Sequence, residues 1–237
     1  MKKIVALILL AFVGHFSIAQ STEMFINKAD AFLGKHVKNG KVAYSDIKKN
    51  TAELDAILQL AQEIKVEKSN VKEYQSFWIN GYNLTVIKSI VDNYPIKSPL
   101  NKAGFFDKIK HNIGGKNITL NDIENKLLRG NFPKEPRFHF VLVCAGLGCP
   151  PIINTAYKPS TLEKQLQMQT VAALNDTKFI QVNKNKVKIS QIFEWYKGDF
   201  TKNGSLVDYI NQYKKEKLPM KAKVSYYPYD WTLNDLK

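Results

Sequence analysis

The stretch richest in reactive groups is Arg137-Phe138-His139-Phe140-Val141-Leu142-Val143-Cys144-Ala145-Gly146-Leu147-Gly148-Cys149-Pro150-Pro151. It holds both cysteines, a histidine and one of only two arginines. Gly146 and Gly148 permit close backbone approaches that a side chain would block. Pro150 suits the first position of a helix, which makes Cys149 its expected N-cap. A thiol there faces unpaired N–H groups and the positive end of the helix dipole, and both favour the reactive thiolate. The same N–H groups could hold an oxyanion.

Three states of the two cysteines are open at this point: a reactive Cys149, a Cys144–Cys149 disulfide stiffening the loop, or two inert buried thiols. Four residues separate them, which is not the C-x-x-C spacing of redox enzymes. His111, His139, Cys144 and Cys149 are zinc-ligand types but lack a recognisable ligand spacing, so no metal and no cofactor is expected. A nucleophilic cysteine wants a base. Beyond the leader the histidines are His36, His111 and His139, and none follows Cys149. The papain-like order is thus excluded, and the base is either His139, upstream, or a carboxylate. The competing reading of His139 is a core histidine bonded to backbone.

Of 35 lysines and arginines, only Arg129 and Arg137 are arginine. A guanidinium offers carboxylate or phosphate a planar fork that lysine lacks. Arg137, Arg129, Asn80 and Asn83 are therefore candidate substrate-binding residues. Against this stand a structural ion pair of Arg137, with Glu124 as partner, and backbone capping by the asparagines. The aromatic stretches at 193–200 and 226–231 suit sugar stacking or, more ordinarily, a core.

The elements that must carry these residues follow from periodicity. Residues 21–37 and 52–64 read as amphipathic helices. Residues 71–91 are apolar on nearly all sides, the mark of a central buried helix, and Tyr94-Pro95 ends it. Hairpins are expected around Gly114-Gly115 and around residues 183–185. Thr119 caps a helix running to Arg129, stopped by Gly130. Residues 138–144 read as a buried strand. Ser160 and Glu163 cap a helix ending near Leu174. Short helices follow at 190–196 and 206–213, and an extended segment at 224–231. Helices and antiparallel hairpins without a βαβ rhythm make the class α+β, as one domain over residues 20–237 with helices 21–64 packed on the rest.

Residues 1–19 read as a signal peptide. Lys2 and Lys3 precede an apolar run at 4–13, short of the roughly 20 residues a membrane span needs, and Ser17-Ile18-Ala19 offers a cleavage site. The protein is thus expected outside the cytoplasm, periplasmic or secreted, without a transmembrane segment once processed. The formal charge of +14 favours anionic small molecules or envelope components as partners. No nucleic-acid-binding motif is present.

Several ordered motifs look like one family. They are Phe77-Trp78-Ile79-Asn80-Gly81-Tyr82-Asn83, Leu120-Asn121-Asp122-Ile123-Glu124 with Leu128-Arg129, and Arg137-Phe138-His139-Phe140 with Cys144 and Cys149-Pro150. Ile192-Phe193-Glu194-Trp195-Tyr196 with Asp199-Phe200, and Tyr229-Asp230-Trp231-Thr232-Leu233-Asn234, complete the set. From about residue 70 to the C-terminus the chain resembles family 547 of the domains of unknown function, found in bacteria and plants. That family usually has serine before the second cysteine, where this chain has Gly148. The resemblance implies a shared site without naming its reaction. The residues themselves suggest a thiol-dependent hydrolase or acyl-transferase using Cys149 and His139, or alternatively a non-catalytic envelope binding module with a disulfide and an arginine-lined anion pocket.

Overall fold

A computed structural model describes residues 21–237. The leader-like segment at 1–19 lies outside the described residues. The order of elements is helix α1 (residues 21–36), the two-residue strands β1 (Val37–Lys38) and β2 (Lys41–Val42), and helices α2 (Tyr44–Lys49), α3 (Ala52–Glu63) and α4 (Val71–Asn93). Then come the hairpin β3 (Lys110–Ile113) and β4 (Lys116–Thr119) and the short helix α5 (Leu120–Asp122). The second half holds α6 (Leu162–Asn175), β5 (Ile180–Asn183), β6 (Lys186–Ser190), α7 (Ile192–Trp195), α8 (Lys197–Phe200), α9 (Leu206–Tyr213) and β7 (Lys223–Tyr227). The class is α+β.

Helix α4 is the hub. Seventeen of its residues are buried, with apolar and polar residues on every side, so it has no solvent face to speak of. The Phe25 ring of α1 meets Phe77 at 5.3 Å. The β3–β4 hairpin turns at Gly114 and Gly115, both with positive φ, and its tip packs so closely that a Cβ on Gly114 would sit 2.5 Å from the Trp78 ring. Thr119 accepts a hydrogen bond from the Asp122 N–H at 3.1 Å, as its capping role requires.

Four expectations need correction. Residues 138–144 form no strand. Pro136–Phe140 is a 3₁₀ helix, started by Pro136 and capped by the Glu135 carboxylate at the Arg137 N–H. Its apolar residues look two ways: Phe138 enters the apolar cluster around α4, and Phe140 enters a second cluster built on α7, α9 and the C-terminal sheet. No helix begins at Pro150, because Pro151 follows it and disfavours the helical region for the residue before it. Cys149 is therefore not an N-cap. Helix α6 is preceded by Thr161 rather than capped by Ser160, and Glu163 turns to Arg137. The helix after Thr119 widens into a π-helix over Ile123–Arg129 and does not end in a left-handed glycine, since Gly130 keeps φ −66°.

The sheet of the second half has order β5-β6-β7, and β7 joins β6 in parallel. That pairing brings the C-terminal segment back across the molecule. Leu147 and Gly148 N–H groups donate to the Thr232 and Asp230 carbonyls, both at 2.8 Å. The contact is tight because Gly146 and Gly148 lack side chains. A Cβ on Gly148 would lie 2.8 Å from the Asp230 nitrogen, and one on Gly146 3.0 Å from the Asp230 oxygen. No helix of the described residues is long and apolar enough to cross a membrane.

Candidate active site

The segment leading into Cys144 is buried and lies outside the named strands, so its backbone polar groups need partners. Asn83 supplies them. Its amide NH2 donates to the Val141 carbonyl at 2.9 Å, and its carbonyl accepts from the Val143 N–H at 2.9 Å. One side chain thus pairs the segment as a neighbouring strand would. Asn80, one turn earlier on the same face of α4, does the same to Tyr157, donating to its carbonyl at 2.7 Å and accepting from its N–H at 2.9 Å. Both asparagines act on backbone, and neither lines the cavity described below.

After Val143 the chain turns sharply. Ala145 sits at φ 62°, a left-handed conformation that costs a residue with a Cβ about 1 kcal/mol. The Asn234 N–H holds its carbonyl at 2.9 Å. The turn folds the loop back so that the Cys144 N–H donates to the Cys149 sulfur at 3.0 Å. The Tyr229 hydroxyl donates to the same sulfur at 2.7 Å and lies 2.7 Å from the Cys144 sulfur. Both cysteines are free thiols in the structure and both are half-buried.

The two thiols differ electrostatically. Burial opposes ionisation of Cys149. Hydrogen bonds from the Cys144 thiol, the Tyr229 hydroxyl and the Cys144 and Gly146 N–H groups outweigh it and hold the Cys149 pKa below its ordinary value. Cys144 is pushed well up, by burial first and then by its neighbour Cys149. Burial and the two cysteines also raise the Tyr229 phenol, which stays protonated and therefore remains a donor. Donors that the sequence places at a helix start come instead from a tight turn and a distant tyrosine.

His139 is buried on the 3₁₀ helix, and its Nε2 meets the Asp199 carboxylate at 2.9 Å. Its ring stacks on Tyr196 at 4.1 Å. Asp199 also accepts from Arg129 Nε at 2.7 Å. Those two bonds, that from His139 the stronger, hold Asp199 well below the usual carboxylate range despite its burial. Arg129 lies 4.5 Å from the Tyr196 ring centre and also bonds Asn125.

Arg137 is clamped by Glu135 and Glu163, each at 2.5 Å, and not by Glu124. Each guanidinium is already neutralised by carboxylate, and Arg137 lines a hollow of about 390 Å³ with Glu135, Lys134 and Lys202.

A cavity of about 300 Å³ opens between the two apolar clusters. His139, Cys144 and Cys149 line it, together with Glu124, Asn121 and an aromatic set that includes Trp195, Tyr229 and Trp231. Neither arginine lines it. Cys149 also lines a second hollow of about 470 Å³ on the far side of the loop, beside Lys41, Lys178 and Asp230. Glu124 reaches the cavity from the π-helix, and Tyr196 lines the same cavity. The sequence reading put Glu124 beside Arg137 and counted Tyr229, Tyr196 and Asp199 only as motif members or aromatic core. His111 stands on β3 away from this cavity, and no group of three possible metal ligands occurs among the described residues.

Residues 66–172 match the model of a family described as protein of unknown function, DUF547. The matched span takes in α4, the hairpin, the π-helix, His139 and both cysteines. Asp199, Tyr229 and Trp231, which complete the site, lie beyond it. No curated protein and no solved structure matches the chain.

Proposed function

We propose that this chain is an exported thiol-dependent hydrolase or acyl-transferase with Cys149 as nucleophile and His139 as base. The observation that carries the reading is the convergence of the Cys144 N–H and the Tyr229 hydroxyl on the Cys149 sulfur, at 3.0 and 2.7 Å, in the wall of a cavity that His139 also lines. A thiolate needs that kind of donor set. Asp199 at Nε2 orients the imidazole as the third member of a nucleophile–base–orienter set and leaves Nδ1 to handle substrate protons.

In this mechanism Nδ1 of His139 takes the Cys149 proton, and the resulting thiolate attacks the carbonyl carbon of an ester or amide. A C–S bond forms and the carbonyl π pair moves to oxygen, where the Tyr229 hydroxyl is the nearest donor. Collapse expels the leaving group, which takes a proton from His139. Water or an acceptor nucleophile gives its proton to His139, attacks the thioester and releases Cys149 as thiolate. Export rests on the leader at 1–19.

The test is to incubate the protein with p-nitrophenyl acetate and follow both p-nitrophenolate release and intact mass. A burst with an acetyl group on Cys149, absent from Cys149→Ser, supports the reading. An unmodified Cys149 together with slow iodoacetamide labelling overturns it. The second reading, a binding module with a Cys144–Cys149 bridge, is favoured by one observation: both sulfurs contact the same hydroxyl.

A further inference from the structure

The lining of the Cys149 cavity is chemically one-sided. Tyr82, Phe106, Trp195, Tyr196, Tyr229 and Trp231 supply six rings, Glu124 is the one carboxylate, and no lysine or arginine is present. That exclusion is informative in a chain with 35 basic residues. Glu124 makes no ion pair with a basic side chain among the described residues, so its charge is not cancelled within the cavity. Trp195, Tyr229 and Trp231 form one cluster, with ring centres 4.6 to 6.1 Å apart, and Trp195 is 46% exposed, which puts part of the cluster at the mouth. Ring quadrupoles and an unpaired carboxylate both favour positive charge and disfavour negative charge. The thiolate form of Cys149 adds to the same field.

We propose that the cavity takes the cationic, ammonium-bearing end of a small molecule, held between Glu124 and the indoles of Trp195 and Trp231. This rests on the reading of Cys149 as the reactive group and names its substrate class. It reverses the expectation of an anionic ligand that net charge and the two arginines suggest. The overall positive charge does not oppose it strongly, because at physiological salt charges beyond about 8 Å are largely screened. The local lining decides. Aromatic rings around a carboxylate are also how quaternary ammonium groups are generally recognised.

Three methanethiosulfonates of different charge read the cavity directly, in a Cys144→Ser chain so that only Cys149 reacts. The trimethylammonioethyl reagent is cationic, the sulfonatoethyl reagent anionic and the methyl reagent neutral. The cationic-to-anionic rate ratio at Cys149 is expected to exceed that of free 2-mercaptoethanol by about tenfold or more. Glu124→Gln should remove most of that excess in the cationic-to-anionic ratio, which cancels any change in the thiolate fraction common to both reagents. A ratio equal to or below that of the free thiol overturns the proposal.

Binding without a reactive thiol gives a second arm. In Cys149→Ser, choline should quench tryptophan fluorescence saturably, its uncharged isostere 3,3-dimethylbutan-1-ol about tenfold more weakly, and acetate not at all. Trp195→Ala, at a half-exposed position and confirmed folded by its melting curve, should abolish the choline quenching of the remaining Trp231. Equal binding of the isostere, or no saturable choline signal, overturns the proposal. A Cys149 that ignores even the neutral reagent sinks the nucleophile reading instead, and the choline titration then decides the ligand class alone.

Discussion

The Tyr229 hydroxyl donates to the Cys149 sulfur at 2.7 Å although 80 positions separate the two residues. The contact exists because β7 joins β6 in parallel and returns the C-terminal segment over the glycine-flanked loop. A donor to an ionised sulfur contributes roughly 1.5–3 kcal/mol, and 1.36 kcal/mol is one pKa unit. Tyr229→Phe should therefore raise the Cys149 pKa. The check is iodoacetamide labelling against pH. The rate rises as the thiol ionises, so the variant's curve should lie to higher pH, with the same plateau. An unmoved curve would show that the hydroxyl does not support the thiolate.

The two asparagines of α4 make a matched pair of tests. Asn83→Ala strips partners from the Val141 carbonyl and the Val143 N–H, and Asn80→Ala does the same at Tyr157. Each buried group left unpaired costs about 1–3 kcal/mol, so both variants should lose several kcal/mol in denaturant melts. Only Asn83→Ala should also slow Cys149 labelling, because the segment it holds ends at the Cys144 N–H. If both variants slow labelling equally, the loop is not positioned by Asn83 in particular.

How much of this was legible before the structure depends on how local each cause is. Helix α4 declares itself by apolar residues on every side, and the β3–β4 turn by Gly114-Gly115. The need of Asn80 and Asn83 for partners was also visible, since buried amides must pair. That the partners are backbone carbonyls and N–H groups 58 to 77 residues away was not, because no spacing encodes it. The strand expected at 138–144 shows the same limit. Val141 to Val143 is buried as its residues suggest, but Val141 ends a 3₁₀ helix and a side chain of α4 stands where a partner strand would. Glu124 does not meet Arg137, which pairs with Glu135 and Glu163 nearer to it in the fold, and Tyr229 arrives by a long return of the chain. Tyr229-Asp230-Trp231 was in view as a motif, and that was the one signal pointing to it.

The His139–Asp199 pair carries a pH signature. Asp199 is held below its unfolded value of about 3.9, chiefly by His139 and then by Arg129. A depressed carboxyl contributes stability that is fully present above the unfolded pKa and is lost as pH falls through the folded one. Asp199→Asn should thus melt lower than the parent at neutral pH, with the gap closing below about pH 4. It should also lower the rate of thioester formation at pH 7 by freeing the His139 ring. A melting gap that is constant down to the lowest pH at which the chain stays folded would show that Asp199 is uncharged in the fold.

Arg137 separates structural from ligand roles. Its fork is shared between Glu135 and Glu163, the second mostly exposed. Arg137→Lys keeps the charge and loses the bidentate geometry, so a stability loss of about 1 kcal/mol is expected, with Cys149 labelling unaltered. Chemical denaturation beside the labelling assay checks both. A variant that melts like the parent but labels differently would place Arg137 back in the reactive site.

The last prediction concerns oxidation, where the two thiols part company. Cys149 is the more ionised and Cys144 the more protonated, so iodoacetamide at neutral pH should reach Cys149 far sooner. Hydrogen peroxide should follow the same preference. The Cys149 thiolate takes one oxygen to become a sulfenic acid and releases hydroxide. The neighbouring Cys144 thiol then attacks that sulfur and expels the hydroxyl as water, leaving a Cys144–Cys149 disulfide two hydrogens lighter than the dithiol. Both sulfurs contact the same Tyr229 hydroxyl, so little chain movement separates the two states. Peroxide-treated protein should resist alkylation, show that mass loss, and recover full labelling after dithiothreitol. Cys144→Ser should instead stop at sulfenic acid, trapped by dimedone on Cys149. If the parent chain also accumulates only the dimedone adduct, Cys144 does not resolve Cys149. If the purified protein already carries the bridge and dithiothreitol restores no acetyl transfer, the binding-module reading replaces the enzyme.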